Sequence, residues 1–354
     1  GSICENTYTI QGVSEQDVIS AIDNNEDIKV LMLTYPSYYG MVFDLEKICR
    51  YAHEKGMMVI VDEAHGAHLN LSDKLPKSAL EQGADIVIQS LHKTLPAFTQ
   101  SSILHVQGDL VDKKNLERFL KIVQSSSPSY VLMSSLEIAI DIYDRYGKGL
   151  MGNLLNDIEN FEADLSKIDG VKVIKGHDAT KVFISLKDLG INGYDLEEIL
   201  RYKHNIQVEL SNYYGVLLIC TIGNDKNDFD AFLEAIKSIA KNFNENHYLK
   251  IKQDNLNQKE AELIHINYPN IIPKKVLSPR DAFYSDKKEV KLKDSIGKVS
   301  GEYIIPYPPG ISLTSPGEII TKEVIDYILI CKEYGMNVSG LKDKSLDIIE
   351  IIEN

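Results

Sequence analysis

The sequence has 354 residues, 44% of them hydrophobic and 25% charged, which places it among ordinary folded proteins and excludes an intrinsically disordered class. A single core stops growing at about 250–300 residues, so two or three domains are expected. The formal net charge of −14 excludes sequence-independent nucleic-acid binding, which needs cations to neutralise phosphates, and favours a small cationic substrate.

The four cysteines, Cys4, Cys49, Cys220 and Cys331, are scattered without a C-x-x-C spacing, which suits a reducing cytoplasm. No apolar run approaches about eighteen residues, and no charged segment followed by an apolar one opens the chain, so no membrane association is expected.

In chain order, 13–22 has helical spacing with Ser14 as N-cap, and 30–34 is a buried strand. Tyr35-Pro36-Ser37-Tyr38-Tyr39-Gly40 is turn chemistry. Leu45, Ile48, Cys49 and Ala52 fall on one helical face, and Gly56 stops that helix before a strand at 58–61. A short helix is predicted at 78–81, then a strand at 86–88. This βαβαβ alternation predicts a mostly parallel, doubly wound sheet.

A strand at 102–106 and an amphipathic helix over 111–123 follow, ended by Ser125-Ser126-Ser127-Pro128. A long helix covers 132–146, and the glycines of 147–152 introduce another that runs to about 168. A smaller α+β unit is predicted from strands at 171–174, 182–186, 206–210 and 216–221 and helices at 196–202 and 229–243. Segment 242–260 reads as a polar linker or solvated helix. A third unit begins near 271, where the prolines of Tyr303-Ile304-Ile305-Pro306-Tyr307-Pro308-Pro309-Gly310-Ile311 oppose ladder pairing, and a helix at 324–334 closes it. The expected domains are 1–150, 151–250 and 251–354.

Two strand ends carry the chemistry. Val59-Ile60-Val61 runs into Asp62-Glu63-Ala64-His65-Gly66, and Ile86-Val87-Ile88 runs into Gln89-Ser90-Leu91-His92-Lys93. Parallel sheets present their ligand sites at such carboxyl ends. A carboxylate there also serves as a turn cap, and a lone lysine is more often a surface charge. Together they suit a cationic, carbonyl-bearing cofactor: Asp62 to pair with a protonated ring nitrogen, Lys93 to form an imine. If the strand continues, Ser90 and His92 share a face and can hold a phosphate.

Ser90-x-His92-Lys93 followed by Thr99-Gln100-Ser101-Ser102 resembles the pyridoxal-phosphate lysine signature of the bacterial ornithine/lysine/arginine decarboxylases, the group III enzymes of PLP fold type I. Asp62-Glu63-Ala64-His65-Gly66, Ser278-Pro279-Arg280-Asp281-Ala282-Phe283 and Pro306-Tyr307-Pro308-Pro309-Gly310 resemble three more stretches of that family, in the same order.

The resemblance implies an α/β fold: an incomplete aspartate-aminotransferase-like mixed sheet domain, then a small α+β domain and a C-terminal α+β domain. It implies that Lys93 holds pyridoxal 5'-phosphate, that Asp62 binds the pyridinium nitrogen, that Ala64 packs on the ring, and that Ser90 and His92 contact the phosphate. His65 is placed near the cofactor hydroxyl or the substrate. Ser125 matches a hydroxyl reaching the phosphate of the neighbouring subunit, which implies a homodimer with shared sites; a helix stop is its plainer use.

Family members begin with a further stretch that carries a phosphate-binding turn and a ring-stacking histidine. Without it the chain is expected to form an incomplete, inactive site. The implied reaction is decarboxylation of a basic amino acid, arginine before lysine or ornithine, with Lys93 or His92 returning a proton. Glu302 and Glu318 are candidates for the substrate's distal cation.

The Asp62-Glu63-Ala64-His65 run also resembles the α-oxoamine synthases, another PLP class, yet those carry glycine where this chain has Thr94-Leu95-Pro96. An aminotransferase-like enzyme and a non-catalytic homologue are further alternatives. The same run resembles the box of DEAH helicases, whose downstream motifs are missing. A zinc site from His65 and His68 with Glu63 is possible by spacing, yet no further ligand is evident.

Overall fold

The computed structural model describes residues 14–25, 27–245, 269, 271–307, 310–333 and 335–353. The chain divides into two units, one of residues 1–209 and 214–245, the other of 210–213 and 246–354.

In the first unit, Ser14 caps helix α1 (Glu15–Asp23) by accepting from the Asp17 N–H, as its sequence predicts. Helix α2 (Leu45–Glu54) is capped by Asp44 and buries the expected Leu45, Ile48, Cys49 and Ala52. Gly56 ends it with φ +70°, a left-handed conformation that glycine adopts without a Cβ penalty.

Strands β1 (Val30–Thr34), β2 (Met58–Asp62) and β3 (Ile86–Ser90) run parallel, with Thr34 opposite Asp62 and Asp62 opposite Ile88. β4 (Ser102–Val106) pairs antiparallel to β3, Ser90 facing Ser102, so the sheet is mixed. This places the ends of β2 and β3 side by side.

Three expectations change. Segment 78–81 forms turns, not a helix, because the Ala79 N–H goes to the Glu63 carboxylate and the Gln82 amide takes the Lys77 carbonyl. The helix pair expected around 147–152 is one continuous helix, α5 (Tyr130–Leu165), which follows α4 (Lys113–Val123). Gly147 does not break it: a Cβ there would lie 2.5 Å from Leu71 Cδ2, so glycine makes room for the 3-10 turn Leu69–Leu71. α5 buries Met151, Leu154, Leu155, Ile158, Phe161 and Leu165, each worth about 1.5–3 kcal/mol of apolar transfer.

The third change concerns 206–210. Asn205 ends α6 (Gly193–His204) at φ 55°, and the Ile206 N–H returns to the Leu200 carbonyl, so the residues after the helix complete its cap. The strand there is β7 (Leu210–Asn212). β5 (Lys172–Lys175), β6 (Lys181–Ser185) and β8 (Gly215–Ile219) form antiparallel pairs under α7 (Lys226–Glu245). One continuous core joins α1, α2, β2, β3, α5, β6 and α7.

In the second unit, β9 (Lys287–Lys291) pairs antiparallel with β12 (Ile348–Ile352), and β10 (Ile305–Tyr307) with β11 (Asn337–Ser339). Pro306 therefore lies in a ladder, contrary to expectation, in a three-residue strand of a two-stranded sheet where a missing N–H is tolerated. Pro308 and Pro309 lie outside the described residues, as do Cys4, Val13, Tyr334 and most of segment 242–260. The helix Lys322–Glu333 buries Val324, Ile325, Ile328 and Cys331 in a separate core.

Among the described residues no helix is long and apolar enough to cross a membrane. Cys49, Cys220 and Cys331 are free and buried, and burial pushes each thiol up to about 12.

Candidate functional site

Asp62 is the last residue of β2 and is half-buried. Its Oδ1 accepts the Ala64 N–H at 3.0 Å, a turn that fixes the carboxylate at the sheet's carboxyl edge. The ladder continues one step further, since the Glu63 N–H donates to the Ile88 carbonyl. That step drives the Glu63 side chain inward, where it is 0% exposed. Its Oε1 accepts the Ala79 N–H and its Oε2 the Gln89 amide, both at 2.6 Å, while the Gln89 Oε1 meets His105 Nε2 at 3.0 Å. Burial raises the Glu63 carboxyl to about 7 against these two donors. Gly66 permits the arrangement, because a Cβ there would lie 2.5 Å from Glu63 Cγ.

Strand β3 ends at Ser90, and the short helix α3 (Leu91–Thr94) begins at once. Ser90 and His92 therefore do not alternate along a strand, which corrects the expectation of a shared strand face. Lys93 sits on that helix, half-buried, with Nζ 3.2 Å from His65 Nε2. His92 Nδ1 lies 3.0 Å from the Ser101 carbonyl oxygen, which only accepts, so the proton on that atom belongs to His92. The hydroxyls of Thr94 and Ser101, both further along the chain, are buried without hydrogen-bond partners among the described residues.

His65 is buried at 8% exposure, and its ring packs edge-on to Tyr38, with centroids 4.6 Å apart. The Tyr38 hydroxyl donates to the Glu209 carboxylate. Burial is the largest cause that holds the His65 imidazole down to about 3, followed by the charges of Lys181, Lys93 and His68. His65 Nδ1 is buried without a partner.

Beside it, Asp178 Oδ1 accepts the Thr180 N–H at 3.0 Å and the Thr180 hydroxyl at 2.7 Å, and lies 3.2 Å from His68 Nε2. Burial opposes ionisation of Asp178, yet His68, Lys181 and Thr180 bring its carboxyl to about 2. The geometry thus joins Lys93 to His65 and adds Tyr38, with Asp178 beside His68; Tyr38 and Asp178 carry no signal in the sequence, and His68 was considered only for its zinc-like spacing.

Ser125 stands apart on the exposed link between α4 and α5, where its Oγ accepts the Ser127 N–H. Glu302 is occupied: its two oxygens accept the Lys342 and Glu350 N–H groups, each at 2.8 Å. Glu318 Oε2 accepts the Ser315 N–H. Glu302 is thus an internal cap, which corrects its assignment as an anchor for a distal cation, while Glu318 has one oxygen engaged. Among the described residues no group of three or more His, Cys, Asp or Glu is placed to hold a metal ion. A cavity of about 510 Å³ beside Glu209, Cys220 and Phe232 has none of Asp62, His65 and Lys93 in its lining.

The donor set fits pyridoxal 5'-phosphate. An amine, a carboxylate and a neutral imidazole meet at the carboxyl ends of parallel strands, and the orphaned His65 Nδ1 leaves one buried polar atom for a bound group.

Residues 5–185 match the model of the Orn/Lys/Arg decarboxylase major domain, and residues 260–345 that of the Orn/Lys/Arg decarboxylase C-terminal domain. The chain is similar to the arginine decarboxylase of Bacillus subtilis (strain 168), 37% identical over 352 residues, and to that of Bacillus anthracis, 35% identical over 352 residues; each match covers 97% of this chain and 69% of the relative. Its fold is similar to that of the Francisella novicida lysine decarboxylase, with a TM-score of 0.76 at 21% identity over 96% of this chain. The chain spans 60% of that structure's length. That likeness shows the fold, an aminotransferase-like mixed α/β arrangement followed by α+β structure. By both models and by these relatives, the chain belongs to the Orn/Lys/Arg decarboxylase family.

Proposed function

We propose that the chain serves pyridoxal-phosphate-dependent decarboxylation of a basic amino acid, arginine before lysine or ornithine, to the amine and CO2. The observation that carries this reading is Lys93 Nζ at 3.2 Å from His65 Nε2, one strand away from the Asp62 carboxylate. The relatives named arginine decarboxylase and the net charge of −14 support the choice of a cationic substrate.

Lys93 supplies the amine that holds the cofactor, Asp62 keeps the ring nitrogen protonated, Ala64 lies against the ring, and Ser90 and His92 serve the phosphate. When bound, the cofactor supplies the sink for the electrons left as CO2 departs. His92 donates its Nδ1–H to the Ser101 carbonyl, which leaves Nε2 as its atom for a phosphate or a proton. His65 accepts from the Lys93 amine at Nε2, so this pair can move a proton at the reacting centre. Burial of His65 excludes water from that step.

The reading includes a cytoplasmic homodimer in which Ser125 reaches the partner's cofactor phosphate. Phe119, Ile122 and Val123 before Ser125 and Tyr130, Val131 and Ile138 after it are exposed apolar side chains, the composition of a surface that another chain covers. Pro96, Phe98, Tyr130 and Val131 line a groove of about 550 Å³ there. The three buried free thiols suit a reducing compartment. Three domains, 1–150, 151–250 and 251–354, complete the proposal, with α5 as the bridge between the first two.

Amine formation from arginine, lysine and ornithine, measured with added cofactor, tests the reaction. Lys93→Ala is expected to abolish both the amine product and the visible absorbance of lysine-bound cofactor. Amine formation that survives in Lys93→Ala would refute the role of that lysine. Folded wild-type chain that binds the cofactor but releases no CO2 from any of the three would favour the non-catalytic alternative.

A further inference from the structure

The ring of a histidine in a site is ordinarily aligned by a polar contact at each nitrogen. His65 has one such contact: Nε2 stands 3.2 Å from Lys93 Nζ, and the buried Nδ1 has no hydrogen-bond partner among the described residues. A half-turn about the Cβ–Cγ bond would put Cε1 where Nε2 stands and take the acceptor away from the Lys93 amine. Packing must therefore supply the alignment that a second hydrogen bond does not.

The Tyr38 ring makes that packing contact. Its centroid lies 4.6 Å from that of His65 with 62° between the planes, an edge-to-face arrangement. Tyr38 is fastened at both ends. At the outer end its hydroxyl donates to the carboxylate of Glu209, an exposed residue that follows α6. At the backbone end the turn is closed by the Ser37 N–H, which donates to the Met41 carbonyl, and by the Gly40 N–H, which donates to the Ser37 carbonyl, both at 2.9 Å. The Gly40 carbonyl in turn accepts the Asp178 N–H at 2.9 Å. Gly40 has φ +76°, and a Cβ there would meet Lys181 Cγ at 2.9 Å and Asp178 Cβ at 3.1 Å, so the close approach of the turn to that segment is specific to glycine.

We propose that Tyr38 is a positioning residue: its ring fixes the orientation of His65 so that Nε2, and not Cε1, faces the Lys93 amine, and Glu209 holds that ring through the hydroxyl. Tyr38 need not touch the reacting atoms to do this. The arrangement ties the segment after α6 to the reacting pair, since loss of the Glu209 contact frees the outer end of the ring that packs on His65. The inference rests on the reading of Lys93 as the cofactor lysine, and it adds the residues that aim the imidazole beside it.

The test uses the cofactor-free chain labelled at histidine and lysine, with His65 identified by the signals lost in His65→Gln. In the wild type, the His65 Hδ2 proton, next to Nε2, should show a through-space cross-peak to the Lys93 ε-methylene. In Tyr38→Leu that cross-peak should fall by at least about half while the Hε1 cross-peak gains, because two ring orientations then share the site. An unchanged pattern in Tyr38→Leu overturns the proposal. If Tyr38→Leu does not fold, Glu209→Ala decides: it must weaken the Hδ2 cross-peak, and Glu209→Gln, which still accepts from the hydroxyl, must restore it. An unchanged cross-peak in Glu209→Ala then overturns the proposal. With cofactor and arginine, Tyr38→Leu should lose at least about tenfold in kcat with KM within about threefold, the mark of misaimed groups, whereas a change in KM alone overturns the positioning role. Amine formation that survives in Lys93→Ala would sink the reading of the cofactor lysine and leave the ring measurement standing.

Discussion

Glu63→Gln should stabilise the chain at pH 8 and leave it nearly unchanged at pH 4. In the wild type, Glu63 is fully buried and its carboxyl is raised from the ordinary 4.5 to about 7, burial being the first cause. Folding therefore takes up a proton between those values. The stability tied to that proton is present below pH 4.5 and is lost as the pH rises through about 7. At about 1.4 kcal/mol per pH unit, the ionised group costs the fold at most about 3.5 kcal/mol above pH 8. Glutamine keeps the oxygen that accepts from the Ala79 N–H but turns an amide towards the Gln89 amide. A flip of Gln89 restores the pairing: its oxygen then accepts from residue 63, and its nitrogen donates to His105 Nε2, now the unprotonated ring atom. Urea unfolding of both chains at pH 4 and pH 8, followed through the far-UV signal, measures the difference. A stability difference that is the same at both pH values would refute the assignment of a raised carboxyl.

Two glycines separate a backbone clash from a side-chain one. A Cβ on Gly215 would lie 2.3 Å from the Ile184 carbonyl oxygen, across the β6–β8 pair, so Gly215→Ala should cost about 3 kcal/mol or more in urea unfolding. On Gly147 the obstacle is the Leu71 methyl end, and the helix gains about 1 kcal/mol from alanine, so Gly147→Ala should fall within about 1 kcal/mol of the wild type. Glu302→Ala strips the acceptors from the Lys342 and Glu350 N–H groups at about 1–3 kcal/mol. Hydrogen exchange should accelerate at those two amides, while the amides of β2 and β3 stay protected.

The parallel sheet was legible because apolar runs of strand length stop at polar residues, and both Asp62 and Lys93 stand at such stops. The strand Lys287–Lys291 was not legible: four of its five residues are charged, and it is held by pairing with Ile348–Ile352, a partner far along the chain. Local breaker signals misled where packing overrides propensity, as in α5, whose Gly147 serves Leu71. Lys181 reads as the solvated start of an apolar strand, and nothing nearby in sequence reports that Gly40 and Asp178 enclose it. Glu63, one residue past a strand end, reads as an exposed turn residue for the same reason. Buried polar groups such as these are brought together by tertiary contact, and their pattern is absent from any single stretch.

The antiparallel return of β4 along β3 bears on how the lysine is set in place. Ser90 pairs with Ser102, so the segment carrying Lys93 closes as a short local loop, whereas Val30 must find Met58 and Ile60 must find Ile86 through longer crossovers. Loop-closure entropy and contact order both favour the local pairing, so this return is the part of the sheet able to form first. The Lys93–His65 contact therefore joins a segment closed by local pairing to one held in the sheet by long-range pairing.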